Sequence, residues 1–259
     1  MGAMATGSIC PKCGGTGFII VEGANVSGAK RCDCTFQGRV ARLEERAQIP
    51  SLYRNKSFDN FLRGDTDNPI ARSALTNVRL KVEHYVREFP NQARPGLLLI
   101  GEPGTGKTHL AVAAMRKILE KGFECLFWDY QTLLNSIKQG YDPASNSSNR
   151  EAYHDALDSE VLLLDDLGAH RVTDWVEDTV TSIVTYRCNN QKPLIATTNV
   201  PDGDAGSTVT QRNAVNKPEY RRTLAEQIGA RARSRLFEMC TVILMPQVED
   251  YRVRKARPF

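Results

Sequence analysis

The sequence predicts an α/β fold: a P-loop nucleotide domain on a parallel sheet, preceded by a small metal-bound unit. Three observations carry that prediction. Short apolar runs alternate with helical periods through the larger part of the chain, the signature of buried strands and crossover helices. The stretch GEPGTGKT, Gly101 to Thr108, stands where the first of those runs turns into a helix. Four of the seven cysteines fall within the first 34 residues.

A chain of 259 residues has room for one full α/β domain plus something small. Its 34 basic and 30 acidic residues leave a net charge of +4, which permits nucleic-acid contact without demanding it. No apolar run approaches the roughly 18 residues of a membrane span, and no charged-then-apolar signal opens the chain. The expectation is a soluble, cytoplasmic protein with no membrane partner. Residues 1–8, MGAMATGS, read as a vector-derived remnant outside the fold.

Residues 9–36 form the first unit. Cys10 and Cys13 make a CxxC knuckle, and Cys32 and Cys34 supply a second, CxC, pair. A reducing cytosol disfavours disulfides, so a zinc site with four cysteine ligands is expected. Four thiolates leave no open position for a substrate water, which makes that zinc structural, and metal binding supplies most of so small a unit's folding free energy. Residues 37–50 read as a basic linker helix, with Arg39, Arg42 and Arg46 near one face and Pro50 closing it. That helix either touches DNA or is a solvated connector.

The ATPase domain is expected over residues 51–259. SFDNF places Phe58 and Phe61 either over an adenine or in the core. Asn68 and Pro69 start a helix whose apolar positions Leu75, Val78, Val82, Val86 and Phe89 end before Pro90. The run Leu97 to Ile100 is the first strand of the sheet. In the loop after it, Gly101 and Gly106 let the backbone aim successive N–H groups at phosphate oxygens. Glu102, Pro103, Gly104, Thr105 and His109 complete the expected ATP-binding loop. Lys107 adds a charge against the terminal phosphates, and Thr108 offers its hydroxyl to Mg²⁺ at a helix N-terminus.

Cys125 to Asp129 is the second strand, and VLLLDDLG, Val161 to Gly168, carries the third. Asp165 emerges at its end as the Mg²⁺ ligand, and Asp166 is the candidate for polarising the attacking water. Asp174 and Glu177 spell the start of the next helix. Leu194 to Ala196 leads into TTN, where Asn199 is positioned to meet the γ-phosphate or the water. Finally IGARARSRLFEM, Ile228 to Met239, precedes the strand Thr241 to Met245. Arg235, and after it Arg231, are the candidates for an arginine supplied in trans to a neighbour's phosphates.

Taken together, GEPGTGKT, LLLDDLG, IATTN and IGARARSRL resemble the helicase-loader branch of the AAA+ ATPases, the DnaC and DnaI relatives, and the similar IstB transposition ATPases. The resemblance runs from about Ser51 to the end, and the cysteine unit resembles the zinc-bearing N-terminal region of some loaders. It implies a five-stranded parallel sheet in the order 5-1-4-3-2 and no C-terminal lid, with Arg252 of the DYR ending approaching the nucleotide. It also implies an ATP-dependent homo-oligomer that grips single-stranded DNA and delivers a DnaB-type replicative helicase. Lys138, Tyr141, Arg150 and Tyr153 are either DNA contacts or part of a solvated hairpin, and the polar segment Pro201 to Arg222 is equally open. Two other readings stand beside loading: an IstB-like helper acting on duplex DNA, and an ATP-switched adaptor with little turnover.

Overall fold

The computed structural model describes residues 10–22, 27–61, 68–140, 147–170, 172–212 and 218–256. The MGAMATGS opening and Tyr141 lie outside them, as does the side chain of Arg150. A hairpin of β1 (Phe18–Glu22) and β2 (Ser27–Arg31) leads into α1 (Asp33–Arg46) and α2 (Pro69–Glu88). There follow β3 (Gly96–Ile100), α3 (Lys107–Glu120), β4 (Cys125–Asp129), α4 (Tyr130–Gly140), α5 (Ser147–Asp158), β5 (Val161–Asp165), α6 (Asp174–Asn189) and β6 (Leu194–Thr198). A short hairpin of β7 (Thr210–Arg212) and β8 (Pro218–Tyr220), then α7 (Leu224–Ile228), α8 (Ala230–Met239), β9 (Cys240–Leu244) and α9 (Tyr251–Ala256) complete the chain.

The central sheet is β4-β5-β6-β3-β9, with every neighbouring pair parallel. Counted along the chain within this sheet, that is the expected order 5-1-4-3-2. The three central strands β3, β5 and β6 are buried on both faces and their largely apolar residues alternate between two cores, whereas the edge strands β4 and β9 are only partly buried. Leu97 and Leu99 of β3 and Leu163 of β5 face a layer built on α2 and α3. Leu98, Ile100, Leu162 and Leu164 face a layer built on α4, α6, α7 and α8.

Local chemistry sets the helix starts. The Asn68 side chain accepts the N–H groups of Ile70 and Ala71, with Pro69 in the first turn, and Leu75, Val78, Val82 and Val86 are buried as the spacing requires. The α6 cap is Thr173, one residue before the expected Asp174, and its hydroxyl accepts the Val176 N–H. Asp174 and Glu177 sit in the first turn, where their charge favours the helix dipole.

The linker helix is neither free nor fully solvated. It begins at Asp33, inside the segment read as the cysteine unit, and lies on the ATPase domain. Arg39 donates to the Gly122 carbonyl (3.1 Å) and Glu44 accepts from Arg116 (2.8 Å). After it, Ala47 and Ile49 are buried in the core, and the Ala47 carbonyl accepts the Phe127 N–H (2.9 Å) beside the edge strand β4.

Candidate nucleotide site and cysteine cluster

Adjacent strands β3 and β6 end together, with Ile100 opposite Thr198, and the loop to α3 leaves from that end of the sheet. This is the carboxyl end of parallel strands, where α/β sheets bind ligands. Gly106 starts α3 at φ +93°, and a Cβ there would stand 2.5 Å from the Phe61 ring. Gly104, at φ +71°, lies beneath the Asp250 carboxylate, 1.9 Å from where its Cβ would be. Gly106 therefore excludes a side chain twice over, by conformation and by contact with the buried Phe61 ring, and Gly104 does so by its conformation. Gly101 has another reason to be glycine: the end of β9 crosses it, and a Cβ would meet Met245.

Lys107 is buried and folded back across this loop. Its ammonium donates to the carbonyls of Gly101 (2.9 Å) and Glu102 (2.8 Å) and to Asn199 Oδ1 (2.5 Å). Asn199 in turn donates from Nδ2 to Asp166 Oδ1 (3.0 Å). Lys107, Asn199 and Asp166 thus form one chain of contacts. Asp166 itself has φ +55°, a left-handed kink that takes it out of the β5 direction.

Asp165 stays within β5 and is buried. Thr197 of β6, to which the sequence assigned no role, serves both acids: its hydroxyl donates to Asp165 Oδ1 (2.6 Å) and accepts the Asp166 N–H (3.0 Å). Burial pushes Asp165 up to about 6, against the hydrogen bonds from Thr197 and Thr108. Burial likewise brings Lys107 down to about 8, against the attraction of Asp166 and Asp165. A phosphate against Lys107 and a cation against Asp165 and Thr108 would restore both charges, so these donors fit Mg²⁺ and a polyphosphate.

A cavity of about 490 Å³ opens over this end. Gly104 to His109, Asp166 and Asn199 form one side, Tyr53, Phe61 and Leu75 another, and Val248 and Arg252 a third. Phe61 therefore takes up both expected roles, in the wall and in the core, whereas Phe58 is core alone. His109 is turned toward the wall, with a ring nitrogen 2.9 Å from the Ser57 carbonyl and its ring edge-on to Phe61. Gly101, Glu102 and Pro103 form the stem of the loop and do not line the cavity.

Besides Thr197, two further residues near the site went unread in the sequence. Tyr53 shares a hydrogen bond with Thr108, and desolvation together with the charge of Asp165 raises its phenol. Arg221 reaches from the polar segment after β6 to Glu102 and to the Asn199 carbonyl. Neither belongs to a local pattern that could have marked it.

The α8 arginines do not line their own chain's cavity. Arg235 pairs with Glu238 (2.6 Å), and Arg231 is exposed. Arg233, between them, forks onto Asp202 (2.7 and 2.8 Å), reaches Asp204 (2.8 Å) and stacks on Phe237. Of the sparse DNA candidates, Lys138 is exposed, while Tyr153 is tied to Ser182 of α6 (2.8 Å).

At the other end of α1, the sulfurs of Cys10, Cys13, Cys32 and Cys34 all lie within 4.8 Å of one another. Cys10 and Cys32 are 3.8 Å apart and Cys13 and Cys34 3.4 Å. A tetrahedral ion with bonds of about 2.3 Å needs sulfurs about 3.8 Å apart, so the cluster could hold zinc. Desolvation opposes the Cys13 thiolate, yet the Gly17 N–H (3.3 Å) and the neighbouring thiols bring it to about 6. Cys34 is pushed up to about 12 by its hydrogen bond with Cys13. Thiols this close resist ionising together without a cation, and a metal would remove that conflict.

The comparisons agree with this geometry. The sequence profile of the IstB-like ATP binding protein family matches residues 80–216, just over half of the chain. The uncharacterized protein YqaM of Bacillus subtilis is 30% identical over 176 residues, 64% of this chain and 53% of YqaM. The replicative helicase loader DnaC of Escherichia coli is 26% identical over 161 residues, 62% of each chain. The chain thus spans about half of YqaM and about three-fifths of DnaC. Among solved structures, the DnaC helicase loader superposes with a TM-score of 0.58 at 29% identity, covering 76% of this chain and 100% of that one. DnaI, at 20% identity and a TM-score of 0.55, shares the fold. Among the described residues, no helix is long and apolar enough to cross a membrane. With the loop from Gly104 to His109, Asp166 and Asn199 lining one cavity, and Asp165 buried beside Asp166, the chain belongs to the IstB-like ATP-binding family.

Proposed function

We propose that this protein is a Mg²⁺-dependent ATPase that loads a DnaB-type replicative helicase onto single-stranded DNA, acting as a head-to-tail homo-oligomer. The observation that carries the chemistry is the contact chain Lys107–Asn199–Asp166 beside Asp165 and Thr108. In this reading the loop from Gly104 to Thr108 binds the phosphates, with Arg252 on the facing wall. Mg²⁺ held by Thr108 and Asp165 would neutralise developing phosphate charge. Asp166 receives the proton of the attacking water, and Asn199, already bonded to Asp166 and Lys107, orients that water. Arg235, or Arg231 behind it, meets the phosphoryl group of the next protomer.

The client is proposed from the loader relatives. The DnaC similarity covers most of this chain and, in the solved structure, all of its counterpart. The cysteine unit, residues 9–36, is the proposed helicase-binding end, joined to the ATPase domain by α1. Two measurements test the reading. Purified protein should release phosphate from ATP, faster with single-stranded oligonucleotide, and well above a Lys107→Ala control; release equal to that control would reduce the protein to an ATP-switched adaptor. Co-purification should capture a ring helicase. Capture of a transposase instead would assign the protein to the IstB-like helpers that act on duplex DNA.

A further inference from the structure

Beyond the last rung between β3 and β6, the Gly101 N–H to the Thr198 carbonyl (3.2 Å), the two strand ends have no ladder to hold them. The next residues are Glu102, which opens the phosphate loop, and Asn199, the sensor. Arg221 spans them. One arm of its guanidinium is paired with the Glu102 carboxylate, and the other donates to the Asn199 carbonyl (3.1 Å). The backbone behind it is anchored as well, since the Arg221 N–H donates to the Val209 carbonyl (2.9 Å) and Tyr220 pairs with Thr210 across the β7–β8 hairpin. A planar guanidinium can serve two acceptors on diverging segments at once, which an ammonium on a flexible stem does poorly.

We propose that Arg221 is a positioning residue for hydrolysis: its fork fixes the separation of the phosphate loop and the sensor strand, and makes the β7–β8 hairpin respond to nucleotide. The consequence runs through contacts already described. Moving Glu102 moves a carbonyl that holds Lys107, and moving Asn199 displaces both Lys107 and Asp166. The polar segment after β6, one of the stretches open to a DNA role in the sequence, thereby gains a direct mechanical link to the phosphate site. The pair itself is partly solvent-exposed, with 23% of the Arg221 side chain and 49% of the Glu102 side chain accessible, so its contribution to global stability is small. That separates a positioning role from a structural one.

The inference rests on the nucleotide-binding reading above, and the test keeps the two apart. Wild type, Arg221→Ala and Arg221→Lys are compared for binding of a fluorescent ATP analogue, for phosphate release, for thermal unfolding, and for amide exchange in β7 and β8 with and without nucleotide. Arg221→Ala should lower kcat about tenfold, with nucleotide affinity within about twofold and the melting temperature unchanged; Arg221→Lys should fall between. Nucleotide should slow exchange in the hairpin of wild type and leave it unchanged in Arg221→Ala, a readout that needs binding but no turnover. A wild type that does not bind the analogue sinks the nucleotide reading and this inference with it. Binding with a hairpin blind to nucleotide overturns the inference alone, as does an Arg221→Ala protein that turns over at the wild-type rate or has lost affinity and stability together.

Discussion

Asp165 is a buried acid whose ionisation opposes folding. Burial holds its carboxyl up to about 6, against an ordinary aspartate value of 3.8. Between those values the folded chain binds more protons than the unfolded one, so stability falls as pH rises through the window. Above it, the ionised carboxylate costs on the order of 3 kcal/mol. Asp165→Asn keeps an acceptor for the Thr197 hydroxyl and removes the charge. It should stabilise the metal-free protein by about 1–3 kcal/mol at pH 7 in denaturant melts, lose that advantage as pH drops from 6 toward 4, and abolish the effect of Mg²⁺ on nucleotide affinity. A destabilised variant would contradict this account. Lys107 has the opposite sign. Its folded value of about 8 lies below the ordinary 10.5, so the unfolded chain binds more protons between them and stability rises with pH there. Nucleotide affinity should instead weaken as pH climbs through 8, where the ammonium is lost, and titration of the fluorescent analogue from pH 7 to 9.5 measures it. A flat profile would mean that Lys107 keeps its proton through contacts other than phosphate.

At the level of elements, legibility followed the range of the interactions. The five strands, the glycine loop and its helix, and the Asn68 cap are written in contiguous residues, so periodicity and spacing exposed them. Arg221 and Glu102 are 119 positions apart, and no local pattern marks such a partner. Thr197 was visible in TTN, but its double service to Asp165 and Asp166 depends on β5 and β6 being neighbours in the sheet. The linker's docking was hidden for the same reason: its arginines make a basic face that the sequence shows, while the contacts of Glu44 and Ala47 are with α3 and β4. Those contacts set an expectation for metal removal. The cysteine cluster lies at the start of α1, and the docking residues Arg39 to Ile49 lie further along it, on a core that contains no cysteine ligand. Chelation, or Cys10→Ser, should therefore unfold the β1–β2 unit and abolish helicase capture while leaving nucleotide affinity within about twofold. Loss of nucleotide binding on chelation would show that the two units fold as one.

For the molecule as a whole, the proposed phosphate site takes its loop, lysine and acids from one chain, while the proposed arginine lies away from that chain's cavity. Within the chain, Lys107, Asn199, Asp166 and Arg252 converge on the cavity, whereas Arg231 and Arg235 sit on α8, in the layer behind the opposite face of the sheet from α2 and α3. On the proposed reading, an arginine so placed serves the phosphate of another protomer, and a head-to-tail contact of that kind is heterologous. Arg233 is held by Asp202 and Asp204, whereas Arg235 is paired with the exposed Glu238 on its own helix and lies beside Cys188, contacts that give way readily to a phosphate. Arg235→Ala should therefore bind ATP normally and lose nearly all hydrolysis, since a trans arginine contributes about 10³ or more to such rates. Mixed with Lys107→Ala protein in equal amounts, it should recover turnover. A random interface has about one chance in four of joining an intact phosphate loop to an intact arginine, so the mixture should approach about a quarter of the wild-type rate per interface. Recovery must also depend on total protein concentration, because the working site exists only in the assembly. If the mixture stays as inactive as its components while each still binds ATP, the arginine acts within its own chain or not at all.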